Sequence, residues 1–209
     1  MHPIVLTALL TVANVLGAGM IVPQVTRLRR YHHAAGVSAV GTGVGLALNG
    51  WWIAYGINAE LWGVLPVSVT AAALYAVVAV QLTRRLGVMA TLRPMGFGAG
   101  VLGMAPLPLL IIGGWSAAAV AIGISYSVQF APALVASLRT TDPAGVSATT
   151  WAMAAIEAAI WFGYGTITSD PALLIGGAGG GLTAVAILAR LAMARPDLRR
   201  IPVARSIPM

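Results

Sequence analysis

The chain has 209 residues, of which 59% are hydrophobic and only 8% charged, against about 25% charged in an ordinary soluble domain. That leaves too little polar surface to cover a soluble core of this size, which excludes a soluble globular fold and points to a chain dissolved in lipid. There is no cysteine, so disulfides, thiolate nucleophiles and cysteine metal sites are excluded.

At about 20 residues per spanning helix, the length allows roughly seven or eight spans. In chain order the apolar stretches predict seven helices, over residues 4–25, 37–56, 61–82, 95–113, 116–138, 146–165 and 171–191. The first is read as a span and not a cleaved signal peptide, because no Arg or Lys precedes it and further spans follow. All 12 basic residues are Arg. Arg27, Arg29 and Arg30 follow the first span, Arg84, Arg85 and Arg93 the third, and Arg139 the fifth. Arg190, Arg195, Arg199, Arg200 and Arg205 fall at the end of the chain. The second, fourth and sixth connections carry Asn58, Glu60, Trp115 and Asp170 and no Arg. With seven crossings every Arg lies on one side. The positive-inside rule makes that side cytoplasmic, with the N-terminus outside and the C-terminus inside a cell membrane. The same loops account for the net charge of +7, so no nucleic-acid partner is expected; the partners expected are the lipid bilayer and a small-molecule solute.

A shift of 109 residues superposes Pro23–Gly56 on Pro132–Gly165 without a gap, with about ten of the 34 pairs identical. Pro23 meets Pro132, Arg30 meets Arg139, and Ala35-Gly36-Val37-Ser38-Ala39 meets Ala144-Gly145-Val146-Ser147-Ala148. Trp52, Tyr55 and Gly56 meet Trp161, Tyr164 and Gly165. Three helices reverse the chain's direction across the bilayer and one more restores it, so the two repeats run parallel. The expected fold is an all-α membrane protein with seven transmembrane helices. Two parallel three-helix bundles (residues 1–93 and 115–193) flank a linker helix (94–114), and a basic cytoplasmic tail (194–209) follows. Two repeats in one chain complete a pocket, so a homo-oligomer is possible but not required.

Pro23-Gln24, an Arg-rich loop, Gly36-Val37-Ser38 and Trp52-Ile53-Ala54-Tyr55-Gly56, with the second copy from Pro132 to Gly165, resemble the PQ-loop superfamily. Within it the pattern is most similar to the SWEET sugar transporters and their half-size SemiSWEET relatives. The resemblance covers nearly the whole chain and implies facilitated transport by alternating access, with no cofactor and no catalytic residues. It implies that Pro23 and Pro132 are bending points of an inner gate, each removing a backbone donor from its helix, with Gln24 beside the first. The second copy departs from the motif: Ala133 follows Pro132, and Gln129 lies one turn earlier, either supplying the lost amide or bonding a neighbouring helix. The resemblance also assigns Trp52 and Trp161 to a substrate pocket, where their faces stack on a sugar or hold a cation. Tyr55 and Tyr164 lie on the same helix faces at i+3. The family's pocket Asn pair falls at Ser68 and Gly177, and neither is Asn. A sugar needs several directed hydrogen bonds to offset its desolvation, so this departure bears directly on the solute. Trp62 and Trp115 fit interface anchors.

Glu157 stands out as a carboxylate in mid-span, where an ionised side chain costs roughly 3 kcal/mol on insertion scales. Glu157, Trp161 and Tyr164 form one stripe at i, i+4 and i+7. Its roles divide between proton coupling, binding an amine or cationic solute, accepting hydrogen bonds from a sugar, and a purely structural bond to an adjacent helix. The first repeat has Leu48 there, beside Asn49. The other four acids are expected at aqueous boundaries. Glycines spaced by four, Gly41/Gly45, Gly96/Gly100 and Gly176/Gly180, suggest close helix approach. A glycine-rich seventh helix could also leave room for a larger solute. His32 and His33 fall in a solvated Arg loop, and no metal site is expected. Three functions follow: a uniporter for a sugar or similar polar solute, a proton-coupled transporter of an amine or amino-acid-like solute through Glu157, and a non-transporting receptor on the same fold. No triad, metal cluster or carboxylate pair occurs within the spans, so no enzyme is expected.

Overall fold

The computed structural model describes residues 2–30, 37–139 and 147–194, without the side chains of Pro23, Gln24, Arg27, Arg29, Arg30, Pro132, Ala136 and Ala194. The expectations for His32 and His33, for the Gly36 and Gly145 motif positions and for the tail beyond residue 194 fall outside the described residues. Among the described residues the regular elements are all helices, with no strand: α1 (Pro3–Arg30), α2 (Ala39–Asn58), α3 (Leu65–Leu86), α4 (Val88–Gly98), α5 (Pro106–Arg139), α6 (Ala148–Thr168) and α7 (Pro171–Ala194).

Local chemistry sets the ends. Ser38 and Ser147 are the N-caps of α2 and α6, each in extended backbone, accepting from Gly41 N at 3.1 Å and Thr150 N at 3.3 Å. A capping hydroxyl satisfies one of a helix's orphan N–H groups, which gives the Ser of each Gly-Val-Ser run a physical reason. The C-terminal ends of the same helices also recur at the 109-residue offset. Glu60 and Ser169 both take left-handed backbone at φ 55, and Leu61 N donates to Gly56 O (2.8 Å) as Asp170 N donates to Gly165 O (2.9 Å). This is the six-to-one closure of a Schellman end.

Gly87, at φ 88, ends α3, and the chain re-enters helix at once. The fourth helix therefore begins at Val88, well before the expected residue 95, and Arg93 is an exposed helical side chain rather than a loop residue. Pro94 lies inside α4, where it removes the ladder bond to the carbonyl of residue 90, and a π-helical turn over Ala99–Gly103 follows. Gly114 (φ 65, ψ −162) breaks α5, placing the boundary between the fourth and fifth predicted helices at a conformation open only to glycine. At the other ends, α1 runs through Pro23 to Arg30 and α5 through Pro132 to Arg139.

Helices α1 and α2 both pack on α3, and α5 and α6 both pack on α7. Across the molecule α1 meets α6 and α2 meets α5, while α4 lies against α2 and α3. The outer faces are apolar: Ile112 is 84% exposed, Ile111 75% and Leu182 73%. Exposure on that scale suits hydrocarbon, not water. Four helical stretches, Pro3–Val22, Trp62–Leu86, Val88–Arg139 and Pro171–Met193, are long and apolar enough to cross a membrane. The chain is an all-helical membrane protein.

Close approach uses Gly45, Gly176 and Gly180 of the glycines spaced by four, together with others that the spacing did not single out. Gly96 and Gly100 face open space, whereas Gly43, Gly98 and Gly103 bring α2 against α4 and the turn after it, leaving no room for a Cβ. Gly45 lies under the Tyr75 ring, and Gly176 and Gly180 face α5.

Asn14, which the sequence reading passed over, ties α1 to the start of α3. Its amide donates to Gly63 O at 3.0 Å, and its carbonyl accepts from Val67 N at 2.5 Å. It thereby bridges a pair of backbone groups that a regular helix would join directly. Asn14→Ala should lower stability by about 1 kcal/mol, because the two groups can partly bond each other; thermal unfolding in detergent checks this.

Candidate functional site

Glu157 is the organising residue. It lies on α6, is 2% exposed, and each carboxylate oxygen has a donor. Trp161 Nε1–H donates to Oε1 at 3.0 Å, and the Tyr126 hydroxyl donates to Oε2 at 2.7 Å. The first bond follows from i, i+4 spacing on one helix face; the second reaches across from α5. On the remaining side, α1 presents Gly17, where any Cβ would strike Glu157 Oε1 and Val67. A buried carboxylate in the middle of α6 is therefore sheltered by three helices, one of which must carry glycine at the contact.

Glu157 lines a cavity of about 70 Å³ together with Asn49, Trp52, Ser68, Tyr126, Gln129 and Trp161. Six residues singled out in the sequence, from α2, α3, α5 and α6, thus surround one space. Trp52 and Trp161 are 8% and 6% exposed, whereas Trp62, expected as an interface anchor, is 62% exposed. Asn49 Nδ2 donates to Gly45 O at 2.7 Å on its own helix. The volume holds about two waters at roughly 30 Å³ each, well under the roughly 300–1,000 Å³ of a small-molecule site.

Gly177 also lines the cavity, but its missing side chain does not enlarge it. A Cβ there would lie 2.6 Å from Phe162 N and 2.8 Å from Ala158 O. Glycine at 177 lets α7 touch the backbone of α6, and this replaces the idea of a thin helix wall making room for a larger solute.

Tyr55 and Tyr164 are not among the cavity's lining residues. The Tyr55 hydroxyl donates to Asp170 Oδ2 at 2.5 Å, and Asp170 Oδ1 accepts from Leu173 N at 2.9 Å as the N-cap of α7. Asp170 is 7% exposed, not solvated as expected for a connection residue. The motif Asp170-Pro171 before an apolar run, an N-cap followed by proline at the first helical position, was the available signal. Tyr55 also packs on Trp52 and Trp115, with ring centroids 6.3 and 6.2 Å apart. Trp115 in turn meets Trp51 edge-on at 6.5 Å, so it belongs to this aromatic cluster and is not a lone interface anchor. At the 109-residue offset, Tyr164 packs on Trp161 at 6.3 Å and sits beside Gly63; Leu61 stands where Asp170 would be, so that side lacks the hydrogen bond.

Towards the other end of α6, Trp151 meets Phe130 edge-on at 5.1 Å, and Phe130 meets Tyr126 at 5.0 Å. Met20, Ile187 and Leu191 pack into the same cluster. The Glu157 cavity therefore lies along α6 between two aromatic clusters. Tyr126 links the second cluster to the carboxylate and was missed in the sequence; the signal was a hydroxyl-bearing aromatic one turn before Gln129. The side chains of Pro23, Gln24 and Pro132 lie outside the described residues. Chemically the cavity can stack, hydrogen-bond, and carry one carboxylate charge or proton. Compared with models of known protein families the chain matches none, and compared with curated proteins it likewise matches none.

Proposed function

We propose that this chain is a transporter of the PQ-loop, SWEET-like type, moving a small polar solute, sugar or sugar-like, by alternating access through the cavity around Glu157. The observation that carries the reading is the convergence of Trp52 and Trp161, 109 residues apart in the sequence, on one buried cavity with a mid-span carboxylate between them. Further support comes from the reciprocal packing of α1 on α6 and α2 on α5, which is what two parallel repeats about one axis produce. In this reading α1–α3 and α5–α7 are the two bundles. The stretch from Val88 to Gly114 is the linker, α2 and α6 also cross the membrane, and the Arg-rich connections face the cytoplasm. Gly17, Gly43 and Gly177 hold helices close enough to rock as units. The Tyr55–Asp170 bond closes the outer side, and the Pro23 and Pro132 ends lie at the inner side.

Liposomes loaded with sugars, polyols or amino acids test the reading: folded protein should release at least one of them faster than empty vesicles. Binding of a solute without flux would instead identify a receptor. Orientation is tested separately, because the chain has no cysteine. A single Cys at Trp62 should react with an impermeant maleimide from outside the cell, and one at Arg84 only after permeabilisation.

The donors on Glu157 favour a second reading, proton-coupled transport of an amine or amino-acid-like solute. Tyr126 and Trp161 can hold the side chain in place whether it is charged or neutral, since a carboxyl oxygen accepts from either in both states. Uptake that tracks an imposed pH gradient supports it, and uptake indifferent to the gradient excludes it.

A further inference from the structure

Away from the Glu157 cavity, a groove of about 750 Å³ runs down the outer face of α3 beside the end of α1. Its walls are Val77, Val80 and Leu28, and its head carries Gln81, Arg84 and Arg85. On α3, residues 77, 81, 84 and 85 share one face at i, i+4, i+7 and i+8. From Val77 to Arg84 the groove extends about 10 Å along the helix at about 1.5 Å per residue. It is therefore apolar along its length and cationic at one end.

The two arginines are differently engaged. Arg85 donates through its guanidinium to the Leu28 carbonyl, one of the last-turn carbonyls that a helix leaves without an internal partner. That bond anchors Arg85 at the groove head. Arg84 is exposed and extends from the same turn. Next to them the Gln81 Oε1 atom is buried with no hydrogen-bond partner among the described residues. A buried amide oxygen without a donor is costly.

We propose that this groove is a binding site for an anionic glycerophospholipid whose headgroup carries a free hydroxyl, of the phosphatidylglycerol class. The phosphate pairs with Arg84 and the free donors of Arg85, since guanidinium matches phosphate oxygens with two parallel N–H bonds. The Gln81 amide, whose residue lines the groove, turns out of its buried position so that Oε1 accepts from the headgroup hydroxyl, and the first acyl methylenes lie along Val77 and Val80. Basic pockets between membrane helices hold anionic headgroups in this way. Charge complementarity selects the anion, the orphan acceptor selects a donor-bearing headgroup, and the apolar length of the groove selects a lipid over a free phosphate.

Full-length protein purified in mild detergent and mixed with defined lipids tests this by native mass spectrometry of retained lipid, with thermal stability read in parallel. Phosphatidylglycerol should be retained and should raise the melting temperature; phosphatidylcholine and inorganic phosphate should do neither. Arg84→Gln should reduce retention roughly tenfold, with Arg93→Gln, exposed on α4, unchanged. Gln81→Leu should keep retention of anionic lipid but erase the preference for phosphatidylglycerol over phosphatidylmethanol, which has the same charge and no headgroup hydroxyl. Val80→Trp, at a position already 50% exposed, should block the groove with every charge intact, so a loss there cannot be ascribed to misplaced arginines. Equal retention of phosphatidylcholine, equal stabilisation by inorganic phosphate, or wild-type retention by Arg84→Gln would each overturn the proposal. None of these outcomes depends on whether the chain transports a solute.

Discussion

Glu157→Leu should destabilise the protein by about 1–4 kcal/mol, while Glu157→Gln should cost less than about 1 kcal/mol. Leu strands two buried donors, the Tyr126 hydroxyl and the Trp161 indole N–H, that now end on the carboxylate. Gln keeps an oxygen for the indole and can donate its NH₂ to the tyrosine oxygen, because a phenol both donates and accepts. The range is held below the sum of two full desolvation penalties because a membrane-embedded unfolded chain also finds partners for polar groups. Thermal unfolding of purified variants measures the difference. Equal stability of the two would mean that the carboxylate does not organise α5 and α6. The same pair separates the transport readings. If Glu157 carries a coupled proton, Glu157→Gln should retain exchange of solute but lose its response to a pH gradient. If it accepts hydrogen bonds from a neutral solute, Gln should weaken uptake at every pH alike.

The second large effect concerns the Tyr55–Asp170 bond, which closes the outer side in the proposed transporter. Tyr55→Phe removes the bond to Asp170 and leaves the aromatic cluster of Trp51, Trp52 and Trp115 in place. A hydrogen bond to a charged group contributes roughly 1.5–3 kcal/mol, so opening towards the outside should become at least about tenfold more frequent. A Cys at Ser68, which lines the cavity and is 2% exposed, reports this through its labelling rate with an impermeant maleimide added outside. An unchanged rate would show that the bond does not control access. Asp170→Ala should open the same route and also lose the bond to Leu173 N at the start of α7, costing a further 1 kcal/mol or so of stability. Asp170→Asn should keep the cap.

Part of this architecture is legible one residue at a time. Ser38 and Ser147 start helices because a short hydroxyl before an apolar run caps the first turn, and Gly87 and Gly114 interrupt them because only glycine takes those backbone angles cheaply. The repeat is legible because Pro, Gly, Trp and Tyr recur at a single offset. The position of Glu157 in mid-helix follows from counting. Boundaries failed where two local rules competed: Gly87 permits an immediate restart, so the fourth helix absorbs Arg93 and Pro94 that the hydropathy pattern assigned to a loop.

The sequence alone determined that the chain is helical, that it belongs in a membrane, and that a carboxylate and a tryptophan, Glu157 and Trp161, share one face of a helix. Each of these is a property of composition or of spacing along one helix. Only the tertiary structure decided that Tyr126, 31 residues away, is the second donor to Glu157, and that Asp170, 115 residues from Tyr55, is that tyrosine's acceptor. It alone showed that Gly17 and Gly177 are glycine because a neighbouring carboxylate and a neighbouring backbone occupy the space a side chain would need. Hydrogen bonds and steric contacts between helices depend on which faces meet, and no period within a single helix carries that information.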